Sequence, residues 1–486
     1  MHIILIQPPY TILKSDTKSC QPPLGLSYLA AVLRKDYEVT IIDSIAEGYD
    51  NEERINKNFI RYGLSFEKIK EKIKQFKPDA VGVSCLFSSQ IENSLKVCEI
   101  IKSINTKIFT IIGGAHPSAM VNEVLENRDV DFVIIGEGEN TVIHLLKEIE
   151  GNKNFNIIDG IGYREKDKIR IQQKTTYIED LDKIPFPAWD LLPLEIYFKI
   201  NRPHGAKPKR RPFLPIITSR GCPNNCVFCS IHCVWGKSYR KRSSENVLSE
   251  IDFLTNHFNL KELHFEDDNL ALDKKRAIEI FHGILCRGYD LTWSVPNGLA
   301  INTLDKEVLE LMKKSGCYNI SLAVESGSQK VLRDIIKKPV NLIRAKQAIM
   351  EAKKLGFDIS TFFVVGFPDE TKEDLMETLS LATSLNVENV NFFFATPLPG
   401  SPLFEQCKRN GTINENLLDY KMLNSYKPNF PTKELSKKEL YKLIKRGRIK
   451  VYISLLLRKP QKFIMKFWHK VLSEPKFFLK FFKNSY

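Results

Sequence analysis

No apolar run in this chain reaches the roughly 18–20 residues that a bilayer-spanning helix needs. The sequence therefore predicts no transmembrane segment. The N-terminus, MHIILIQPPY, lacks the charged start, the longer apolar core and the small-residue cleavage site of a secretory signal. Low-complexity tracts and internal repeats are missing as well. With no export signal the chain is expected in the cytoplasm. Thiols stay reduced there, and clustered cysteines point to metal or redox chemistry more often than to disulfides.

What is present is size, an ordinary apolar fraction and an uneven positive charge. At 486 residues and 43% hydrophobic composition, the chain is too long for one core, and two or three domains are expected. The net charge is +14. Between Arg446 and Tyr486, eleven Lys and Arg face the single acid Glu474, so this tail carries +10 of it. A charge so concentrated argues for a local role rather than a general polyanion-binding surface.

Residues 1–150 alternate strand-like runs (2–9, 38–44, 80–85, 107–114 and 131–139) with helical patterns (24–35, 66–76, 88–103, 116–127 and 139–149). Buried strands alternating with helices predict a doubly wound parallel sheet that binds ligands at its carboxyl edge. Residues 151–210 form a connector with a hairpin, IGYREKDKIRIQ, and a proline-rich stretch, DKIPFPAWDLLP. In residues 211–425 six further strands (214–221, 262–268, 291–300, 319–326, 358–366 and 389–397) alternate with helices at 244–258, 273–287, 304–315, 341–355 and 371–385. This α/β series predicts a partial (β/α)6 barrel of the TIM type, with its chemistry at the strand carboxyl ends. Residues 426–486 read as a basic helical C-terminal region.

The first barrel strand runs into TSRGCPNNCVFCSIHC (218–233), four of the ten cysteines of the chain in a dozen residues. Cubane iron–sulfur clusters take cysteine thiolates. Three from one short loop, Cys222, Cys226 and Cys229, leave one iron open. A zinc site needs a fourth ligand, which His232 or Cys233 could provide. An isolated loop of this kind favours zinc. Its place at the end of a first barrel strand favours the cluster.

The spacing Cys-x3-Cys-x2-Cys with Phe228 before the last cysteine resembles the radical S-adenosylmethionine (SAM) superfamily. The resemblance covers roughly residues 210–410. It implies a 4Fe-4S cluster on Cys222, Cys226 and Cys229, whose open iron is chelated by SAM, and reductive cleavage of SAM to a 5′-deoxyadenosyl radical. Later strand ends resemble the same family. HFEDDNL implies Glu266, Asp267 and Asp268 near the methionyl group, and LAVESGS implies Glu325 and Ser326 near the ribose or methionyl moiety. FFVVGFPDET implies Val365 and Gly366 against the adenine, and TPLPGSPLF resembles the sixth-strand ending. Phe228 joins the SAM contacts. Cys233 becomes a bystander.

In the first domain small residues follow strands, where a bulky ligand can approach the backbone and helix N-termini can meet its polar groups. The segments PPLGLSYLAAVLR, GVSCLFSSQ, IIGGAHPSA and GEGENT together resemble the Rossmann-like cobalamin-binding domain of one radical SAM subfamily. The resemblance implies contacts from Pro23, Leu24, Ser84, Gly113, Gly114, His116, Gly136, Glu137 and Gly138. The Asp-x-His-x-x-Gly motif that supplies a cobalt-binding histidine elsewhere is absent, and His116 is expected at the corrin edge or in a structural role.

The implied activity is methylation of an unactivated carbon of a small-molecule or lipid substrate. Cyclisation, oxidation or carbon–carbon coupling with the same cofactors is the alternative, and a cobalamin or redox sensor the non-enzymatic one. Methylthiolation of tRNA is disfavoured, because Cys20, Cys85 and Cys98 do not form the extra cluster pattern of that family. The resemblance also implies an electron donor such as flavodoxin or ferredoxin. No general base stands out; Cys286, Cys317 and Tyr318 lie in the barrel region as packing residues or donors. In the tail, Phe463, Phe467 and Val471 recur at helical spacing beside Lys462, Lys466 and Lys470. That pattern suits a helix on an anionic membrane or one packed on the barrel, with nucleic acid disfavoured.

Overall fold

The structure is a computed structural model that describes residues 1–205, 208–414 and 418–458. Its first sheet is built from β1 (His2–Gln7), β2 (Glu38–Asp43), β3 (Ala80–Ser84), β4 (Phe109–Gly113), β5 (Phe132–Ile134), β6 (Ile161–Glu165) and β7 (Lys168–Gln172). The strand order is β7-β6-β5-β4-β3-β1-β2. The five strands β1–β5 pair in parallel, and β6 and β7 add antiparallel at one edge. The order reverses between β1 and β3, which opens a crevice at the carboxyl edge of a doubly wound sheet.

The hairpin expected inside a connector is therefore part of the first sheet. Its apolar Ile161 and Tyr163 face the same core as Phe132, so burial joins it to the sheet edge. Two smaller differences have local causes. The helix expected at 116–127 is broken into Ala115–Ala119 and Val121–Glu126 at Met120, whose backbone leaves the helical region. A three-stranded antiparallel sheet (Tyr10–Leu13, Glu52–Arg54, Phe59–Tyr62) covers the start of the domain; its strands are too short to show a period.

The second sheet has β8 (Phe213–Ile216), β9 (Glu262–Phe265), β10 (Thr292–Leu299), β11 (Cys317–Glu325), β12 (Asp358–Val365) and β13 (Asn389–Phe394) in sequential order, all parallel. β8 and β13 are not paired with each other, so the barrel is partial. Local chemistry sets its helices. Thr371 and Asp374 form a reciprocal capping box at the start of helix Lys372–Leu385, and Ser243 caps helix Ser244–Phe258.

One apolar core runs without a break from the first domain into the barrel, and a second fills the other face of the first sheet. Helix Lys437–Arg458 closes the barrel side through buried Leu440, Ile444, Val451 and Leu455. Among the described residues no helix is long and apolar enough to cross a membrane. The expected amphipathic stripes at Lys462–Val471 lie outside the described residues.

Candidate active site

The cysteine loop is tied down at both ends and in its middle. Ser219–Arg220 pairs antiparallel with Arg240–Lys241 across the loop base. Gly221, at φ +82°, makes the turn into Cys222; a Cβ there would lie 2.2 Å from the Ser238 carbonyl oxygen. The Val227 N–H donates to the Ile336 carbonyl at 3.0 Å, and the Leu403 N–H donates to the Val227 carbonyl at 2.8 Å. His232 Nε2 lies 2.8 Å from the Cys222 carbonyl, which occupies the residue that could have completed a zinc site.

All ten cysteines are free thiols. Burial pushes the Cys226 thiol up to about 12, and the nearby Lys338 ammonium works against that rise. The Cys229 thiol is raised too, by burial first, with the Asp268 and Cys222 charges adding to it. Among the described residues no three His, Cys, Asp or Glu side chains converge as they would on a single ion. Cys233 Sγ donates to the Ser230 carbonyl at 2.8 Å and packs on Gly400.

The three carboxylates of HFEDDNL point to different tasks. Asp267, expected near SAM, is buried and accepts from Thr218 Oγ1 at 2.7 Å, Ser219 Oγ at 2.5 Å and the Thr218 N–H. It fixes the root of the cysteine loop. Asp268 remains reachable by solvent yet sits deep in protein, and burial with the Asp267 charge pushes it up to about 7. Glu266 has a side chain 7% exposed and takes Asn297 Nδ2 at 3.1 Å and His204 Nε2 at 3.3 Å on one oxygen. Its other oxygen has no partner, and burial pushes the carboxyl up to about 8. His204 Nδ1 lies 2.8 Å from Gln21 Oε1, so this cluster spans both domains.

Glu325 holds a left-handed backbone (φ 68°) at a register shift in β11 and pairs with Lys338 at 2.7 Å. Ser326, expected beside SAM, is fully buried, with its hydroxyl 3.1 Å from Thr378 Oγ1 and accepting from the Ser328 N–H; it shapes the turn instead. Val365 is fully buried, and the Gly366 N–H donates to Glu370. The Phe228 ring lies 6.3 Å from that of Phe367.

On the first domain, Ser84, Gly113 and Gly114 end adjacent strands at the carboxyl edge. Gly114 (φ +123°) presses so close to the next strand end that a Cβ would lie 2.4 Å from the Cys85 carbonyl oxygen. Leu86 and Phe87, which follow, are exposed apolar side chains. Pro23 and Leu24 open helix Leu24–Leu33, and Gly138 precedes helix Glu139–Glu150. His116 is 1% exposed, its ring edge-on to Tyr420 at 4.9 Å and both ring nitrogens unpartnered; burial lowers it to about 4. Gly136 packs on the Val234 carbonyl of the cysteine segment.

Glu137, expected in the cobalamin cradle, is 2% exposed and spends both oxygens elsewhere. Arg220 reaches it at 2.5 Å, Arg240 at 2.9 Å and the Ile178 N–H at 2.7 Å. Burial opposes its charge, but the two guanidinium groups hold it below the ordinary glutamate value. Arg220 also pairs with Glu139 at 2.6 Å and lies over the rings of Tyr28 and Trp235. Helix Ala115–Ala119 meets Cys233 and Gly400 beside this joint.

Lys338, His204 and Asn297 did not stand out in the sequence. None lies in a strand-end motif, and Asn297 reaches Glu266 from a register shift in β10 that no periodicity reveals. Of the other barrel candidates, Tyr318 donates to Glu262 at 2.5 Å, Cys317 is buried and Cys286 lies exposed beside His282. The donor set fits the expected groups. Three free thiols and a largely buried lysine suit an anionic cluster, and the exposed apolar Leu86 and Phe87 at the carboxyl edge suit a large planar ligand.

Comparison with known proteins agrees with this geometry. Residues 10–146 match the B12 binding domain family, and residues 216–382 match the radical SAM superfamily. The chain is 34% identical over 450 residues to the cytidylyl-2-hydroxyethylphosphonate methyltransferase of Streptomyces wedmorensis, covering 86% of this chain and 84% of the relative. It is 29% identical to the anaerobic magnesium-protoporphyrin IX monomethyl ester cyclase of Rubrivivax gelatinosus, over 84% of this chain and 70% of that one. In fold it is similar to the radical SAM methyltransferase TsrM of Kitasatospora setae, with TM-score 0.67, 16% identity and coverage of 84% and 76%.

Proposed function

The chain belongs to the cobalamin-dependent radical SAM enzymes, and from that premise we propose that it methylates an unactivated carbon of a small molecule held between its two domains. The observation that carries the reading is the joint itself. Gly136 on Val234, helix Ala115–Ala119 on Cys233, and Gln21 on His204 turn the carboxyl edge of the first sheet towards the cysteine loop and the barrel mouth. When bound, the cluster with SAM supplies a carbon-centred radical, and cobalamin supplies a methyl group.

The residues divide the work. Cys222, Cys226 and Cys229 would hold the cluster, and Lys338, beside Cys226, would offset its charge. Asp268 and Glu325 would offer carboxylate oxygens to the SAM amino and hydroxyl groups, and Phe228, Val365 and Gly366 would line its adenine side. Ser84, Gly113 and Gly114 would receive the corrin, with Leu86 and Phe87 to give it apolar contacts. Glu266, His204 and Asn297 offer the substrate a donor and acceptor set at the domain boundary.

The test is product analysis on anaerobically reconstituted enzyme. S-adenosylhomocysteine and 5′-deoxyadenosine are expected together, with one methyl group added to the substrate mass. Cys226→Ala loses the cluster absorbance, and Cys233→Ala keeps it. A second reading, cyclisation, draws on the likeness to the ester cyclase. It yields 5′-deoxyadenosine without S-adenosylhomocysteine and no added methyl group.

A further inference from the structure

Along β11, β12 and β13 successive side chains point to opposite faces of the sheet. One face is closed. Leu322, Val324, Phe363, Val365, Phe392 and Phe394 are each at most 2% exposed. The Phe394 ring lies 6.4 Å from that of Tyr441 on the last helix, so this is the outer face, covered by helices. The opposite face looks into the barrel lumen. There Ala323, Ser360, Phe362, Asn391 and Phe393 all keep partial contact with solvent, although β12 has a strand on each side. Complete barrels fill this space with layered side chains. Here it is open.

What the open lumen presents is aromatic. The rings of Phe362 and Phe393 meet edge to face at 5.6 Å, and Phe393 lies 5.9 Å from Tyr426, which is 56% exposed. The Phe394 N–H donates to the Ser425 carbonyl at 2.7 Å and so fixes Tyr426 at the end of this row. On its other side Phe362 has only small neighbours. Its register partner on β11 is Ala323, and a Cβ at Gly298 of β10 would lie 3.7 Å from both the Ala323 Cβ and the Phe362 ring. Two adjacent strands thus bring nothing larger than a methyl group to the flank of that ring. Asn297, next to Gly298, holds Glu266 and His204, so the bare stretch runs from an aromatic row to a polar group. Solvent-facing rings beside a space with no side chain to fill it mark a ligand surface.

We propose that this lumen face is the substrate subsite and that it takes a planar aromatic or heteroaromatic ring, packed on Phe362 and Phe393 over the Gly298–Ala323 gap and bounded by Tyr426. The proposal rests on the radical SAM reading above and adds the substrate class to it. The negative faces and positive edges of the phenylalanine rings favour a further ring over a saturated group of the same size. Gly298 and Ala323 set the space: a larger side chain at either would occupy the place of the ligand. SAM also carries a planar ring, its adenine, but Val365 and Gly366, expected on the adenine side, follow Phe362 by three and four residues at the carboxyl end of β12.

The test uses two probes, 2-naphthol and decahydro-2-naphthol, which share a skeleton and a hydroxyl while only the first is planar. Each is measured by equilibrium dialysis against full-length enzyme reconstituted with cluster and cobalamin and saturated with SAM. Wild type is expected to bind 2-naphthol about tenfold more tightly. The double variant Phe362→Leu, Phe393→Leu keeps apolar volume but no ring, and should lose that preference through weaker 2-naphthol binding alone. Phe393→Tyr, which keeps the ring, and Ile343→Ser, on an exposed helix face, should retain it. Equal binding of the two probes to wild type overturns the proposal, as does a preference that survives in the double variant. A double variant whose SAM affinity falls by the same factor also overturns it, since the rings would then serve the adenine. The two single variants carry the same comparison should the double one fail to hold its cluster. Absence of 5′-deoxyadenosine from wild type given dithionite and SAM would instead sink the radical SAM reading, a result read independently of the probe preference.

Discussion

Glu370 is fully buried, accepts from the Gly366 N–H at 2.5 Å and the Phe367 N–H at 3.2 Å, and leaves its other oxygen unpartnered. Burial outweighs those bonds and pushes the carboxyl up to about 8. The fold therefore keeps a proton that the unfolded chain releases near the ordinary glutamate value. This advantage is complete below that value and is lost as pH rises through about 8. Denaturant unfolding of cluster-free protein should show stability falling over that window by more than 1 kcal/mol, at roughly 1.4 kcal/mol for each pH unit between the unfolded and folded values. Glu370→Gln should flatten the slope; an identical slope would remove Glu370 as its source. At this scale the sequence shows residue types and misses their surroundings. FEDD is one acidic run in the sequence, yet Asp267 holds the loop root, Glu266 meets His204 and Asp268 stays open, because three successive side chains leave a strand end in different directions.

Among elements, the joint between the sheets depends on charges that are fully enclosed. Arg220 is buried between Glu137, Glu139 and the faces of Tyr28 and Trp235, and Arg240 takes the remaining side of Glu137. Arg220→Met removes one partner and strands Glu139 in a dry interface, a change that costs about 3–5 kcal/mol. Chemical denaturation should register that loss, and Arg220→Met with Glu139→Gln should recover part of it. Equal stability of Arg220→Met and wild type would mean the joint is held by apolar contact alone. The strand and helix alternation was legible because period-2 and buried runs are local properties. The hairpin of β6 and β7 was equally visible as a hairpin. Its membership of the first sheet was not, since pairing with β5 depends on residues some thirty positions away.

At the scale of the whole molecule, the C-terminal segment returns to both domains. Tyr420 packs on His116 and donates to Glu123, and Lys421 pairs with Glu92. Helix Lys437–Arg458 then lies on the barrel, with Leu440 against Gly366 and Gly447 against Leu379. Its four buried apolar side chains are each worth about 1.5–3 kcal/mol, which together rivals the usual net stability of about 5–15 kcal/mol. A chain ended before Lys437 should accordingly lose cooperative thermal unfolding and soluble yield. Retention of the full-length melting temperature would show that this helix is dispensable to the fold.

The sequence by itself determined the two α/β units and the cysteine loop at the end of a first barrel strand, because each is written in local spacing and periodicity; the cofactor set followed from the resemblance of those motifs to a known family. Tertiary structure alone decided which strand-end groups remain available. Glu137, Asp267 and Ser326 are consumed by partners far along the chain, and Lys338, His204 and Asn297 are brought in from segments without a motif. Burial and hydrogen-bond satisfaction are properties of the packed whole, and Glu137 already takes two guanidinium groups and the Ile178 N–H on its two oxygens.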